Sequence, residues 1–165
     1  MAFIVFAVYT VKNPKSPLQT ASFSENGKDV TITYSSPYKK GRLIFGTEAE
    51  SALVPFDNYW RTGANRHTMI KTNSDLIFGD NVLSKGEYSL YTVPGKDTWK
   101  VVINSENGYF GIVQPDSDND LFSFEASSSI LEDTVEQLSI DFVTDSIGSS
   151  IRLRWDTTQV LMPFK

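Results

Sequence analysis

The amino-acid sequence predicts an all-β chain: an antiparallel β-sandwich or jelly roll over residues 17–165, behind a short hydrophobic leader over residues 1–16. Three observations carry the prediction. Apolar and polar residues alternate with a period near two through most of the chain, as they do on strands with one dry and one wet face. Turn-prone clusters of Gly, Pro, Asn and Asp break the alternation at short, regular spacing, the pattern of sandwiches and jelly rolls. The one plausible helix, Ser129 to Glu136, is short.

The leader differs from the rest. Ala2 to Tyr9 is an unbroken apolar run, followed by Lys12, Pro14 and Pro17. Eight apolar residues are well short of the roughly 20 that a membrane-spanning helix needs. No basic region precedes the run and no small-residue cleavage site follows it, so it is not a complete secretory signal. Two readings stay open: a buried first strand, or the truncated end of a longer anchor or signal with Tyr9 and Lys12 at the membrane interface.

Strands are expected in order after Pro17. Asp29 to Tyr34 alternates behind the turn-prone Glu25 to Lys28. His67 to Thr72 follows, then Asp75 to Phe78 and Val82-Leu83 around Gly79-Asp80-Asn81. Gly86 to Val93 and Trp99 to Ile103 flank Pro94-Gly95-Lys96-Asp97, a hairpin signal in which Pro fixes one turn dihedral and Gly accepts a positive φ. Leu121 to Ala126, Gln137 to Val143, Ser150 to Trp155 and Gln159 to Phe164 complete a set of about nine strands. No linker or repeat divides residues 17–165, so they read as one domain.

Composition narrows the function. Fifteen basic against twenty acidic residues leave a net charge of −5, the wrong balance for a protein that tracks nucleic-acid phosphates. The absence of cysteine excludes disulfides, thiolate metal sites and a catalytic thiol. His67 is the single histidine, too few for a His-rich zinc site, and no nucleophile elbow accompanies it, so it reads first as a surface or strand-edge residue. Walker and dinucleotide fingerprints are missing. Asp116, Asp118 and Asp120 resemble the opening of a calcium loop, but Leu121 and Ser127 stand where its Gly and closing Glu belong, which favours a solvated acidic loop. Carboxylate pairs such as Glu48/Glu50 and Asp141/Asp145 establish no separation across a cleft and carry no glycosidase argument. Neither a metal nor a cofactor is expected.

The segment Tyr34 to Asn65 is the most distinctive. Trp60, Arg61, Thr62 and Asn65 set a flat ring, a forked cation, a hydroxyl and an amide within six positions, with Gly63 and Ala64 leaving the backbone accessible. Such a set suits a planar or anionic ligand, because Arg forks onto carboxylate or phosphate and Trp offers a stacking face. The same residues also suit a plain structural role, a buried Trp beside an Arg that bonds loop carbonyls to pin a long crossover. Tyr34, Arg42, Trp60, Arg61, Thr62, Asn65 and His67 are the candidate ligand-binding residues, and no residue is assigned a catalytic role.

The motifs Gly41-Arg42-x-Ile44-Phe45-Gly46, Val54-Pro55 and Trp60-Arg61-Thr62-Gly63-Ala64-Asn65 resemble those of the domain of unknown function 2911 family. Gly86 to Lys96, Trp99, Asn104 and the ending Leu153-Arg154-Trp155-Asp156 to Pro163 extend the resemblance over essentially residues 17–165. It implies a β architecture and a place in the bacterial cell envelope, periplasmic or otherwise extracytoplasmic, often behind a signal or anchor, and it implies no reaction. Ser36 stands here where the family usually has Arg before the proline, and Arg66 where an acid commonly follows Gly-Ala-Asn. Two functions are therefore expected. The first is a non-catalytic envelope module that binds a small ligand, a glycan or a protein partner, or serves as an accessory subunit of a membrane-associated assembly, with membrane contact through residues 2–9. The alternative is a small hydrolase or lyase with Arg42, Arg61 and Asn65 as an electrophilic clamp and His67 or an acid as base.

Overall fold

A computed structural model of the chain describes residues 15–107 and 113–165. The apolar run at residues 2–9, with most of the expected leader, lies outside the described residues. The described residues form eleven strands: β1 (Leu18–Glu25), β2 (Lys28–Ser35), β3 (Phe45–Gly46), β4 (Val54–Pro55), β5 (Thr68–Thr72), β6 (Leu76–Phe78), β7 (Asn81–Leu83), β8 (Gly86–Val93), β9 (Thr98–Asn104), β10 (Asp120–Thr144) and β11 (Ser149–Phe164). Seven form one antiparallel sheet in the order β1-β2-β5-β8-β9-β10-β11, with β3-β4 and β6-β7 as small two-stranded sheets. The all-β, sandwich-like class expected from the alternation is what the chain adopts. No helix among the described residues is long and apolar enough to cross a membrane.

Two hairpins follow directly from their turn residues. Asn26 and Gly27, with φ of 52° and 77°, join β1 to β2. Positive φ at both central positions matches the twist of the flanking strands, and Asn-Gly accepts it with little strain. The β8–β9 hairpin around Pro94 to Asp97 has Val93 opposite Lys100 and Ser89 opposite Asn104, but Gly95 does not take the positive φ expected of it; a side chain there would collide with the Thr98 carbonyl oxygen. β1 was not expected from the sequence: in LQTASFSE no residue is fully buried, so its alternation is faint, and the Asn-Gly turn was the available signal.

The sheet curls until its ends face each other. Phe23 of β1 lies 5.5 Å from Phe142 of β10 and 5.3 Å from Phe164 of β11, measured between ring centroids. Tyr34 of β2 accepts a hydrogen bond at 2.9 Å from the Ile140 amide of β10. Between the two faces lies the core, with Ile32, Ile70, Leu90, Val101, Ile103, Leu138 and Leu153 buried.

One expectation is overturned. Ser129 to Glu136 is not a helix but the middle of β10, a strand of 25 residues that the sequence reading had split in two. Its residues do not alternate with a period of two because the ladder is bulged there. Ile130 faces Thr158 and Ser139 faces Arg154, so nine steps along β10 match four along β11. The surplus projects from the sheet and is exposed at Glu132, Asp133 and Thr134. β11 changes parity opposite this bulge. Ile151, Leu153 and Trp155 are buried before it, Val160, Met162 and Phe164 after it, with Asp156 at φ 55° between them.

Candidate functional site

Two departures from the regular ladder build one cavity. The first is the crossover before β5. Trp60 pairs with Thr92 of β8, and Thr68, at the start of β5, pairs with Leu90. Eight steps along the crossover thus match two along β8, and the surplus forms a loop. Buried bonds close its neck: the Thr62 hydroxyl meets the Thr92 hydroxyl at 3.0 Å, and the Thr68 hydroxyl donates to the Thr62 carbonyl at 2.7 Å. Thr62 and Asn65 both have left-handed backbones, at φ 59° and 60°. That conformation is uncommon for a β-branched residue such as Thr62 and holds only because its surroundings over-determine it. Gly63 is required at the neck, since a Cβ there would sit 2.8 Å from the Ser35 carbonyl oxygen.

The second departure is the β10 bulge, which docks on the segment after β2. The Lys39 amide donates to the Glu136 carbonyl at 2.6 Å, and the Leu138 amide to the Pro37 carbonyl at 2.9 Å. Lys40 and Gly41 turn the chain at φ 50° and 71°, and the Arg42 guanidinium holds the turn through the Lys39 carbonyl at 2.9 Å and the Tyr38 carbonyl at 2.5 Å.

Between these walls is a cavity of about 560 Å³, within the range of roughly 300–1,000 Å³ usual for small-molecule sites. Arg42, Trp60, Arg61 and Asn65 line it, joined by Lys15, Tyr38, Lys40, Gly63, Ala64 and Trp155. The sequence reading missed Lys15, Tyr38, Lys40 and Trp155; the Lys39-Lys40-Gly41-Arg42 run was the signal for the second cationic wall. Tyr34, Thr62 and His67 are elsewhere. Tyr34 is bonded to Ile140, and burial is the main cause that lifts its phenol above its ordinary pKa. Thr62 is wholly buried in the neck. His67, 4% exposed rather than at the surface, has its Nε2 3.0 Å from the Val113 carbonyl oxygen.

The lining residues differ in how far their side chains are committed to the protein itself. Trp60 is 7% exposed and Trp155 1%; their rings stack 6.0 Å apart at 19° and pack against Phe45 and Trp99. Their faces therefore serve the core. Arg42 pins its loop as described, with its remaining charge on the cavity side. Arg61 differs: half-buried, its guanidinium makes no hydrogen bond or ion pair to a described residue. Beside it, burial pushes the Tyr59 phenol up to about 12, against the opposing pull of the Arg61 charge.

The acidic loop behaves as a structural element. Asp116 caps a 3-10 turn at Ser117–Asn119, and the Asp120 carboxylate accepts from the Tyr91 hydroxyl and the Asn104 amide, both at 2.8 Å. Among the described residues no group of three or more His, Cys, Asp or Glu is placed to hold a metal ion.

Fold and cavity together define a sandwich-like β domain with one cation-lined pocket built on two ladder irregularities. The family described as Protein of unknown function (DUF2911) matches residues 16–164, and the chain belongs to it. Searches of curated proteins and of solved structures return no match.

Proposed function

We propose that the protein is a non-catalytic binding module of the bacterial cell envelope that takes a small ligand in the cavity between the Trp60–Asn65 loop and the Pro37–Arg42 turn. One observation carries the reading: Arg61 is half-buried at the cavity wall with no partner among the described residues. The Arg61 side-chain nitrogens are not closed off from solvent, so the fork stays available to the carboxylate or phosphate oxygens of an incoming ligand. The wall is also preorganised, because the neck bonds of Thr62 and Thr68 are made before any ligand arrives.

The non-catalytic part rests on the lining itself. Arg42, Arg61 and Asn65 do converge, but no histidine or carboxylate among the described residues lines the cavity with them. The base that the hydrolase or lyase reading assigns, His67 or an acid, lies outside the lining, and that reading survives only with Lys15, Lys40 or Tyr38 in the role. The envelope location is supported by the kind of protein the family resemblance implies and by the apolar run at residues 2–9.

A saturation-transfer NMR screen of small hydrophilic fragments tests the binding, run on the native chain and on Ala64→Trp, which fills the cavity. Fragments that bind the native chain and are lost from Ala64→Trp are the expected result. Hits that bind both proteins equally overturn the assignment. Turnover of an ester, phosphoester or glycoside that disappears in Arg61→Ala overturns the non-catalytic reading.

A further inference from the structure

The cavity's charge is at odds with that of the chain. Four cationic side chains, Lys15, Lys40, Arg42 and Arg61, line it, whereas no carboxylate among the described residues does, although the chain carries a net charge of −5. Two acids bonded to the Lys39–Lys40 turn are engaged with groups outside the lining or with backbone: Glu136 accepts from the Lys40 backbone amide at 2.8 Å, and Asp156 from the Lys39 ammonium at 2.9 Å. Three ion pairs are formed among the described residues, and none includes a cavity cation. Like charges gathered around one concavity repel each other and raise the local potential, an arrangement relieved by an anion.

Resting on the reading of the cavity as a ligand site, we infer that its ligand is a compact, hydrophilic oxyanion bearing at least two negative charges on phosphate or carboxylate groups. Several features set this class. Arg61 presents a planar fork that matches either group in a bidentate way, and Lys15 and Lys40 add point charges at the mouth. The Asn65 side chain, exposed at the rim, offers amide donors to the same oxygens. A flat aromatic ligand gains little by stacking, because the Trp60 and Trp155 rings are 7% and 1% exposed; the apolar part of the lining comes instead from small or aliphatic residues such as Leu53 and Ala64. A single charge would leave most of the cationic lining uncompensated.

The test is calorimetric titration of the full chain with pyrophosphate and, separately, citrate, with trehalose as a neutral control, while amide NMR shifts report the place of binding. Binding of one or both anions is expected, with shifts at Arg61 and Asn65; which anion binds separates phosphate from carboxylate recognition. Affinity should fall with added salt. It should fall at least about tenfold in Arg61→Met, as loss of a charge-assisted bidentate contact implies. Lys100→Met, on exposed β9 surface away from the cavity, should leave it unchanged. Equal losses in Arg61→Met and Lys100→Met would mean diffuse attraction and overturn the inference. Trehalose shifting the cavity amides while neither anion does so overturns the inference and leaves the ligand site standing. Silence from all three probes at millimolar concentration, with the fold intact, overturns both.

Discussion

The two ends of the core are both aromatic, but they are built differently. At one end Phe23, Phe78, Phe122, Phe124, Phe142 and Phe164 touch one another, with Phe78 and Phe124 stacked at 4.8 Å. Two ladders there run without interruption, from Leu18–Ser35 to Glu25–Lys28 and from Ser139–Arg154 to Thr144–Ser149, and the β9–β10 ladder has a single register shift between Asp120 and Phe122. At the other end Trp60, Trp99, Trp155 and Phe45 cluster where two ladders are interrupted. An indole N–H buried in a core needs an acceptor, and a regular ladder has few to spare. The irregular segments provide them: Trp60 donates to the Gly63 carbonyl at 3.1 Å and Trp155 to the Glu136 carbonyl at 3.3 Å. Tryptophan and bulge thus support each other, and the cavity opens where they meet. The phenylalanine end has a smaller cavity, of about 350 Å³, rimmed by Ile77, Ile147 and Leu161 and by no cluster of like charges.

Removing Trp155 should break the comparison most severely. Trp155→Ala and Phe78→Ala both delete a fully buried ring, and each should cost about 3–5 kcal/mol in chemical denaturation. The two ends separate under milder changes. Trp155→Phe keeps most of the ring but leaves Glu136 with one donor fewer, so hydrogen exchange at the Lys39 and Leu138 amides should accelerate. Phe78→Leu should destabilise the protein without that local effect. Equal protection of those two amides in both variants would show that the indole does not hold the bulge.

Gly63→Ala comes next. The added methyl meets the Ser35 carbonyl oxygen at 2.8 Å, so the loop must shift, at a cost of about 1–3 kcal/mol by analogy with overpacking. Because the shift falls on the loop that carries Arg61 and Asn65, fragment binding at the cavity should weaken more than stability does. Gly27→Ala is the matched control. Its Cβ would meet nothing within 4 Å, so only the strain of its φ of 77° is felt, far from the cavity. A Gly63→Ala protein that melts and binds like the native chain would remove the neck from the description of the site.

Regular parts of this molecule were legible in the sequence and irregular ones were not. β2 and β5 bury alternate residues, which period-two reading detects, while β8 and β9 bury both faces over Ser89 to Thr92 and Val101 to Asn104 and are marked by their β-branched and aromatic residues and the turn between them. The β10 bulge defeats that reading, because a strand with surplus residues loses its alternation and Ser129 to Glu136 then resembles a weak helix. The Trp60–Asn65 string lines one side of the cavity. The opposite wall comes from Lys40 and Arg42, brought there by pairing with β10 about a hundred positions along the chain, a contact that no local pattern encodes. His67 and Thr62 were grouped with the site by proximity in sequence, but the loop that separates Trp60 from Thr68 turns only some of its residues outward.

The smallest expected effect concerns Tyr59, where the tryptophan end meets the outer face of the sheet. Its hydroxyl is buried with no hydrogen-bond partner among the described residues, and its ring packs 5.3 Å from that of Tyr91. An unsatisfied buried hydroxyl is unfavourable, so Tyr59→Phe should be neutral or stabilise by up to about 1 kcal/mol, against the usual direction for a core substitution. The pH dependence follows from the same cause. The phenol is pushed up to about 12 when folded, chiefly by burial, and returns to about 10 when unfolded. The unfolded chain therefore loses this proton first. Stability is retained below pH ~10 and declines as pH rises towards 12. Tyr91, raised by its own burial and by its bond to Asp120, contributes in the same direction, so Tyr59→Phe should make the alkaline decline shallower without abolishing it. Arg61→Met should raise the Tyr59 pKa further, because the guanidinium is the group that opposes the shift. Tyrosinate absorbance followed through an alkaline titration of the three proteins measures both effects, and an Arg61→Met curve that moves to lower pH would place the Arg61 charge away from Tyr59.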